Sequence, residues 1–222
     1  MAGVKIRFPP YFSLIEKKGI SKRLMLMCNS CYELFESDTT NLTDRDKCPL
    51  YHCNHNDGGI LVSIDSEIAE PISILNKEFI KNNLPIRTVF CCSGHPPFDT
   101  TPYLGLEIDP DYCYAPEEEE ILFETLNDQI LDKCVETLNE KIKDISEYKV
   151  IKPFAVYLDE RENGDGSKFY RLYVNDLGVE YIGDESNIYS RFFPLYELQL
   201  YFKTFLMDFA NKIKTLEIVR EQ

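Results

Sequence analysis

The chain has no tryptophan, only three histidines and no apolar run near the roughly 18 to 20 residues that cross a bilayer. It carries no Gly-rich phosphate loop, dinucleotide fingerprint, Ser-His-Asp signature or His-Glu-x-x-His motif. The common sequence routes to nucleotide hydrolysis, hydride transfer, serine hydrolysis and zinc proteolysis are therefore missing. Basic residues are scarce, 24 against 38 acidic ones, giving a net charge of −14 and a pI near 4.7. The lysines and arginines do not cluster, so there is no footprint for direct nucleic-acid binding. The N-terminus, MAGVKIRFPPYF, lacks an apolar stretch followed by a small-residue cleavage site. A cytoplasmic protein is expected, and in that reducing compartment its cysteines are metal ligands or buried thiols rather than disulfides.

Eight cysteines are present, and four of them have a pattern. Cys28-x-x-Cys31 has the spacing of a metal knuckle, in which a tight turn aims two thiolates and backbone N–H groups at one ion. Cys48-Pro-Leu-Tyr-His-Cys53 follows after 16 intervening residues. A common ribbon would place its last cysteine at position 51, where Tyr51 stands; Cys53 is the first choice, with His52 or His55 as alternatives. Four protein ligands leave no open coordination position, so a structural zinc is expected.

The order of elements predicts an α+β fold, a zinc-ribbon hairpin followed by a mixed sheet packed against two or three helices. Residues 1–65 form the ribbon region and 66–222 an α+β domain packed on it, or the two are continuous. Strands are predicted over residues 4–8, 23–27, 60–65, 86–91, 103–108, 149–158 and 168–175. A helix over residues 70–83 places Pro71 in its first turn and Ile72, Leu75, Phe79 and Ile80 on its apolar face. A long helix over 117–145 carries Leu122, Leu126, Ile130, Cys134, Leu138, Ile142 and Ile145. A last helix over 194–216 carries Leu195, Leu198, Tyr201, Phe202, Phe205 and Phe209. The ENGDGS stretch at 162–167 marks a hairpin between the last two strands.

Cys91-Cys92-Ser93-Gly94-His95 closes the strand 86–91 and brings a thiol, a hydroxyl, a glycine and an imidazole to one strand end. Three readings stay open: a structural turn, a ligand-binding loop, or catalysis with Cys92 as nucleophile and His95 as base. Asp99 and Glu107 are the nearest candidates to orient His95. Cys91, Cys92, His95 and Cys113 also offer donors for a second metal ion.

Asp65-Ser-Glu-Ile-Ala-Glu-Pro-Ile-Ser-Ile-Leu-Asn76 and Arg87-Thr-Val-Phe-Cys-Cys-Ser-Gly-His95 together resemble an uncharacterised family of bacterial and phage proteins. That family couples an N-terminal zinc ribbon to a helix ending near Leu-Asn and a Thr-x-x-Cys-Cys-x-Gly-His strand end. The resemblance covers residues 25 to 108 and implies an α+β fold and a mobile-element context, with no activity attached. The Cys-Ser-Gly loop is also faintly similar to that of wybutosine-type tRNA methyltransferases, where His95 is replaced by arginine.

The acidity is local. Residues 109–147 hold 13 acidic and 3 basic side chains, a net of −10. Glu124, Asp128, Asp132, Glu136, Glu140 and Asp144 recur every fourth residue, each two positions from an apolar-stripe residue and hence about 200° round the helix from it. Like charges at this spacing destabilise a helix by a few tenths of a kcal/mol per pair, so five pairs cost on the order of 1 to 2 kcal/mol. Carboxylates about 6 Å apart along the axis approximate phosphates along a nucleic-acid strand. The expected function is an acidic, zinc-stabilised interaction protein of phage or mobile-element type, binding and blocking a basic nucleic-acid-handling protein such as a host defence nuclease. The alternative is an RNA- or nucleotide-modifying enzyme using the Cys-Cys-Ser-Gly-His loop.

Overall fold

The computed structural model describes residues 24–36, 41–54, 59–94, 102–109, 116–145, 149–150, 155–162, 168–174, 179–180 and 193–215. The strand expected at 4–8 and residues His55, His95, Asp99 and Cys113 lie outside the described residues.

Strands β1 (Leu24–Cys28) and β2 (Leu34–Glu36) are followed by a one-turn helix α1 (Tyr51–Asn54) and strand β3 (Leu61–Asp65). These strands make an antiparallel sheet in the order β2-β1-β3, with Cys28 opposite Leu61 and Leu24 opposite Asp65. Side chains alternate across a strand. Leu26 and Cys28 therefore share one face with the cysteine cluster, while Met27 and Ile64 join the main core.

Helix α2 (Ser66–Lys81) begins directly after β3. It starts four residues earlier than the sequence reading placed it, so Pro71 lies inside the helix rather than in its first turn. The missing proline N–H removes one hydrogen bond of the ladder, and the packing of Ile68, Ile72, Leu75 and Phe79, all fully buried, outweighs that loss. Ile80, expected on the buried face, is 58% exposed. The helix ends in a Schellman motif. Asn83 adopts φ 53°, its N–H bonds Ile80 O at 3.0 Å, and Leu84 N–H bonds Phe79 O at 2.9 Å.

Strands β4 (Ile86–Cys92) and β5 (Tyr103–Ile108) follow. Next comes a long helical segment of α3 (Pro116–Leu126), a π turn (Asn127–Leu131) and α4 (Asp132–Ile145). Short β6 (Lys149–Val150) precedes β7 (Val156–Glu162), β8 (Lys168–Val174) and β9 (Val179–Glu180). The strand expected over 149–158 is thus two strands in different sheets, Lys149–Val150 and Val156–Glu162. Helix α5 (Phe193–Lys212) closes the fold, with a 3₁₀ turn at Ile213–Thr215.

The second sheet runs β4-β5-β8-β7, and β6 pairs with β9. Every strand pairing among the described residues is antiparallel, where a mixed sheet was expected. The reason is that β3 and β4, joined by α2, belong to different sheets and never form the parallel pair a crossover helix would create. The core is formed by the two larger sheets with α2, α3, α4 and α5, which bring in residues such as Leu75, Leu122, Cys134 and Phe205. Phe79 meets Phe209 edge-on at 6.2 Å, and Phe205 lies 6.1 Å from Phe209 and 6.3 Å from Phe202. Phe123 of α3 stacks on Tyr170 of β8 at 3.6 Å, fixing the long helical segment to one face of the second sheet.

Candidate metal centre

Strand β1 delivers Cys28 to the start of a tight turn, and Tyr32 N–H bonds back to Cys28 O at 3.0 Å. Closing the turn requires a positive φ at Tyr32, 58°, where glycine would be unstrained. The Tyr32 side chain is buried in the main core, and its carbonyl accepts from Ser73 Oγ at 2.6 Å, which compensates. The segment bearing the second pair is held along β3 by Arg45 N–H to Leu61 O and Leu61 N–H to Asp46 O, both 2.8 Å. Asp46 in turn accepts from Thr43 N–H and Oγ at 2.7 and 2.9 Å. Cys48 N–H bonds Gly59 O at 2.8 Å, and α1 presents Cys53, whose N–H bonds Leu50 O at 3.0 Å.

These pieces bring the four sulfurs together. All four Sγ atoms lie within 4.8 Å of one another, with Cys28–Cys53 at 3.5 Å and Cys31–Cys48 at 3.8 Å. A tetrahedron with metal–sulfur bonds of ~2.3 Å has edges of about 3.8 Å, so the cluster has the size that a metal ion requires. Cys28, Cys48 and Cys53 are buried and Cys31 is partly so. His52 is exposed and stands outside the cluster, and Cys53 supplies its fourth sulfur.

Backbone donors surround the sulfurs. Ser30 and Cys31 N–H both point to Cys28 Sγ at 3.4 Å. The backbones of Glu33, Leu50 and Gly59 act on Cys31, Cys48 and Cys53 respectively, each in the direction that lowers the thiol. Such donors favour thiolate. Burial works in the opposite direction and holds the Cys31 and Cys48 thiols above their ordinary value, with the neighbouring Cys28 sulfur adding to the rise. At Cys53 burial also raises, but hydrogen bonds from the Cys28 thiol and the Gly59 backbone outweigh it and the net shift is downward. A divalent cation bound here would resolve this conflict by letting all four sulfurs ionise together. Gly59 was not singled out in the sequence, yet a Cβ there would sit 2.5 Å from Cys28 Sγ and 2.6 Å from Ser30 Cβ. The Gly58-Gly59 pair was the only signal for it.

The Cys-Cys-Ser-Gly segment is tied down at both sides. Asp65 Oδ2 accepts from Ser93 N–H at 2.8 Å and from Ser93 Oγ at 2.9 Å. Gln199 Nε2 of α5 donates to Gly94 O at 2.6 Å, and Gly94 adopts φ 88°. Among the described residues the carboxylate bonded to this loop is Asp65, which sequence reasoning missed. Glu107 sits opposite Arg87 toward the far end of β5 and accepts from its Nε at 2.6 Å, because the antiparallel register carries it away from Cys92. Burial pushes the Cys91 thiol up to about 12, with Asp65 and Cys92 adding to the rise. It also raises Cys92, against an opposing bond from Gly94 N–H at 3.3 Å. Neither thiol is activated as a nucleophile by the described groups. Among the described residues the Cys28 cluster is the one candidate metal group, and Cys91 and Cys92 are not part of it.

The acidic residues of the long helical segment are where the period placed them. Glu124, Asp128, Asp132, Glu136 and Glu140 are exposed, while Leu122, Leu126, Ile130, Cys134 and Leu138 are buried. The side chains of Asp144, Ile142 and Ile145 lie outside the described residues. A strict four-residue period drifts about 160° over 16 residues of α-helix, and the extra residue of the π turn removes about 100° of that drift.

No helix among the described residues is long and apolar enough to cross a membrane. No family model, curated protein or solved structure matches this chain.

Proposed function

We propose that the chain is a zinc-stabilised interaction protein that docks its acidic helix on the basic surface of a nucleic-acid-handling protein and blocks it. The observation that carries this is the exposed row Glu124, Asp128, Asp132, Glu136 and Glu140, held near one face by the π turn at Asn127–Leu131. Opposite it, the buried row from Leu122 to Leu138 fixes the helix on the core, so the charges are presented by a rigid element. Zinc is the metal proposed, because four clustered thiolates suit it, with Cys28 at the end of β1, Cys31 in the turn that follows and Cys53 on α1. The ion shapes the fold and takes no part in docking. The resemblance of residues 25 to 108 to a phage and bacterial family supports a mobile-element setting for such a blocker.

The experiment is capture of basic nucleic-acid-binding proteins from bacterial lysate at low and high salt. The bait is the native chain or one carrying Glu124→Lys, Asp128→Lys, Asp132→Lys and Glu136→Lys. Docking through the helix predicts a partner held by the native chain alone, released by salt and inhibited in its nucleic-acid activity. A partner equally bound by the Lys-substituted chain returns the helix to a solvated face.

A further inference from the structure

We propose that the outer face of the second sheet, centred on Arg171, binds a nucleoside monophosphate: a planar base stacked on tyrosine, with its phosphate held by the guanidinium.

The two faces of this sheet differ. On the inner face Leu104, Leu106, Leu172 and Val174 enter the core. On the other face alternation places Tyr103, Arg171, Tyr173 and Tyr157. The Arg171 guanidinium lies 4.8 Å from the Tyr103 ring centre and 5.5 Å from that of Tyr173. Tyr157 stacks on Tyr173 at 5.4 Å, and Tyr157 is 46% exposed, so the aromatic column has one ring open to solvent. Gly105, the β5 neighbour of Arg171, contributes no side chain to this face.

Charge distinguishes Arg171 from the other arginines here. Arg87 is paired with Glu107, and Arg161 with Asp159 at 2.8 Å. Asp159 is the register partner of Arg171, but its carboxylate is engaged by Arg161 at 2.8 Å. Arg171 has no acidic partner among the described residues, and its Nε is buried without a hydrogen-bond acceptor. A buried donor of this kind calls for an acceptor supplied from elsewhere, and a guanidinium matches phosphate oxygens in fork geometry.

The aromatic rings supply the second half of the recognition. An exposed tyrosine at the end of a stack offers a base a face to stack on, and arginine between rings adds cation–π contact. The net charge of −14 disfavours a polyanion but leaves a single phosphate admissible. The acidic helical segment packs on the opposite side of the sheet, through Phe123 on Tyr170, so its carboxylates do not line this face. Cys92, the register partner of Tyr103, places the Cys-Ser-Gly loop at the border of the same surface.

The test is calorimetric titration of the whole chain with the four nucleoside 5′-monophosphates, the corresponding nucleosides and inorganic phosphate, each up to ~10 mM. Tyrosine fluorescence gives a second readout, since the chain has no tryptophan. At least one monophosphate is expected to bind about tenfold more tightly than its nucleoside or phosphate alone. Arg171→Gln and Tyr157→Ala are each expected to weaken it about tenfold or more, and Arg171→Lys to restore part of the loss. Unfolding curves confirm the fold of each variant, and Tyr157, being exposed, is the variant least dependent on packing. Absence of binding by every monophosphate, binding of phosphate alone with equal strength, or unchanged binding by well-folded Tyr157→Ala overturns the proposal. The Lys-substituted helix is expected to bind the nucleotide as the native chain does, which keeps this test separate from that of helix docking.

Discussion

Asp65 holds Ser93 by two hydrogen bonds to one carboxylate oxygen, from the backbone N–H at 2.8 Å and from Oγ at 2.9 Å. Asp65 ends β3, whose other end pairs with Cys28, so one strand connects the cysteine cluster to the Cys-Cys-Ser-Gly segment. Asp65 stands at the N-cap position of α2 without capping it, because its side chain is committed to Ser93.

Asp65→Ala is expected to cost about 1 to 3 kcal/mol, since Ser93 is 2% exposed and would keep two donors without an acceptor. Amide exchange at Ser93 and Gly94 is expected to quicken more than exchange in β5. Equal quickening throughout the chain would show that the bond has no local role.

Gly59→Ala tests how tightly the cluster is built. The added methyl would lie 2.5 Å from Cys28 Sγ, closer than any sulfur–carbon contact tolerates. The expected loss is about 1 to 3 kcal/mol of stability in the metal-bound chain, with faster loss of the ion to a chelator. Unchanged stability and unchanged metal release would mean that the loop carrying Gly59 moves freely away from Cys28.

Alkaline pH offers a separate check. Burial raises the Cys91 and Cys134 thiols from 9.0 to about 12. A raised folded-state value stabilises the fold fully below the unfolded value and is lost as pH rises through the folded one. Stability is therefore expected to fall between pH 9 and 12, and the double variant Cys91→Ala, Cys134→Ala to fall less steeply over that interval. Parallel pH profiles for variant and native chain would contradict this.

The period of apolar residues was enough to place most elements. The strand at 103–108 matches the expected bounds, and the β7–β8 hairpin flanks the ENGDGS stretch. The four cysteines singled out by their spacing lie together, within 4.8 Å, even though Tyr51 breaks the common ribbon pattern. What escaped were interactions that no local pattern encodes. The start of α2 was hidden because Pro71 reads as a first-turn residue, and only burial of Ile68 and Ala69 at 0% extends the helix past it. Asn76, at 1% exposure, looks like a poor helix residue. Its Nδ2 donates to Ile72 O and Thr88 Oγ1 while its Oδ1 accepts from Thr88 N–H, next to the bulge between Thr88 and Cys91. The π turn and the tyrosine–arginine face likewise depend on tertiary register.

The most direct test of the cysteine cluster as a metal centre is elemental analysis of the purified chain, joined to unfolding curves with and without a strong chelator. One zinc per chain is expected, with sulfur neighbours at ~2.3 Å by X-ray absorption. Cys28→Ser or Cys53→Ser is expected to lose the ion, and chelation to lower stability steeply. A metal-free chain with the same unfolding curve as the native preparation would contradict a structural metal at Cys28, Cys31, Cys48 and Cys53.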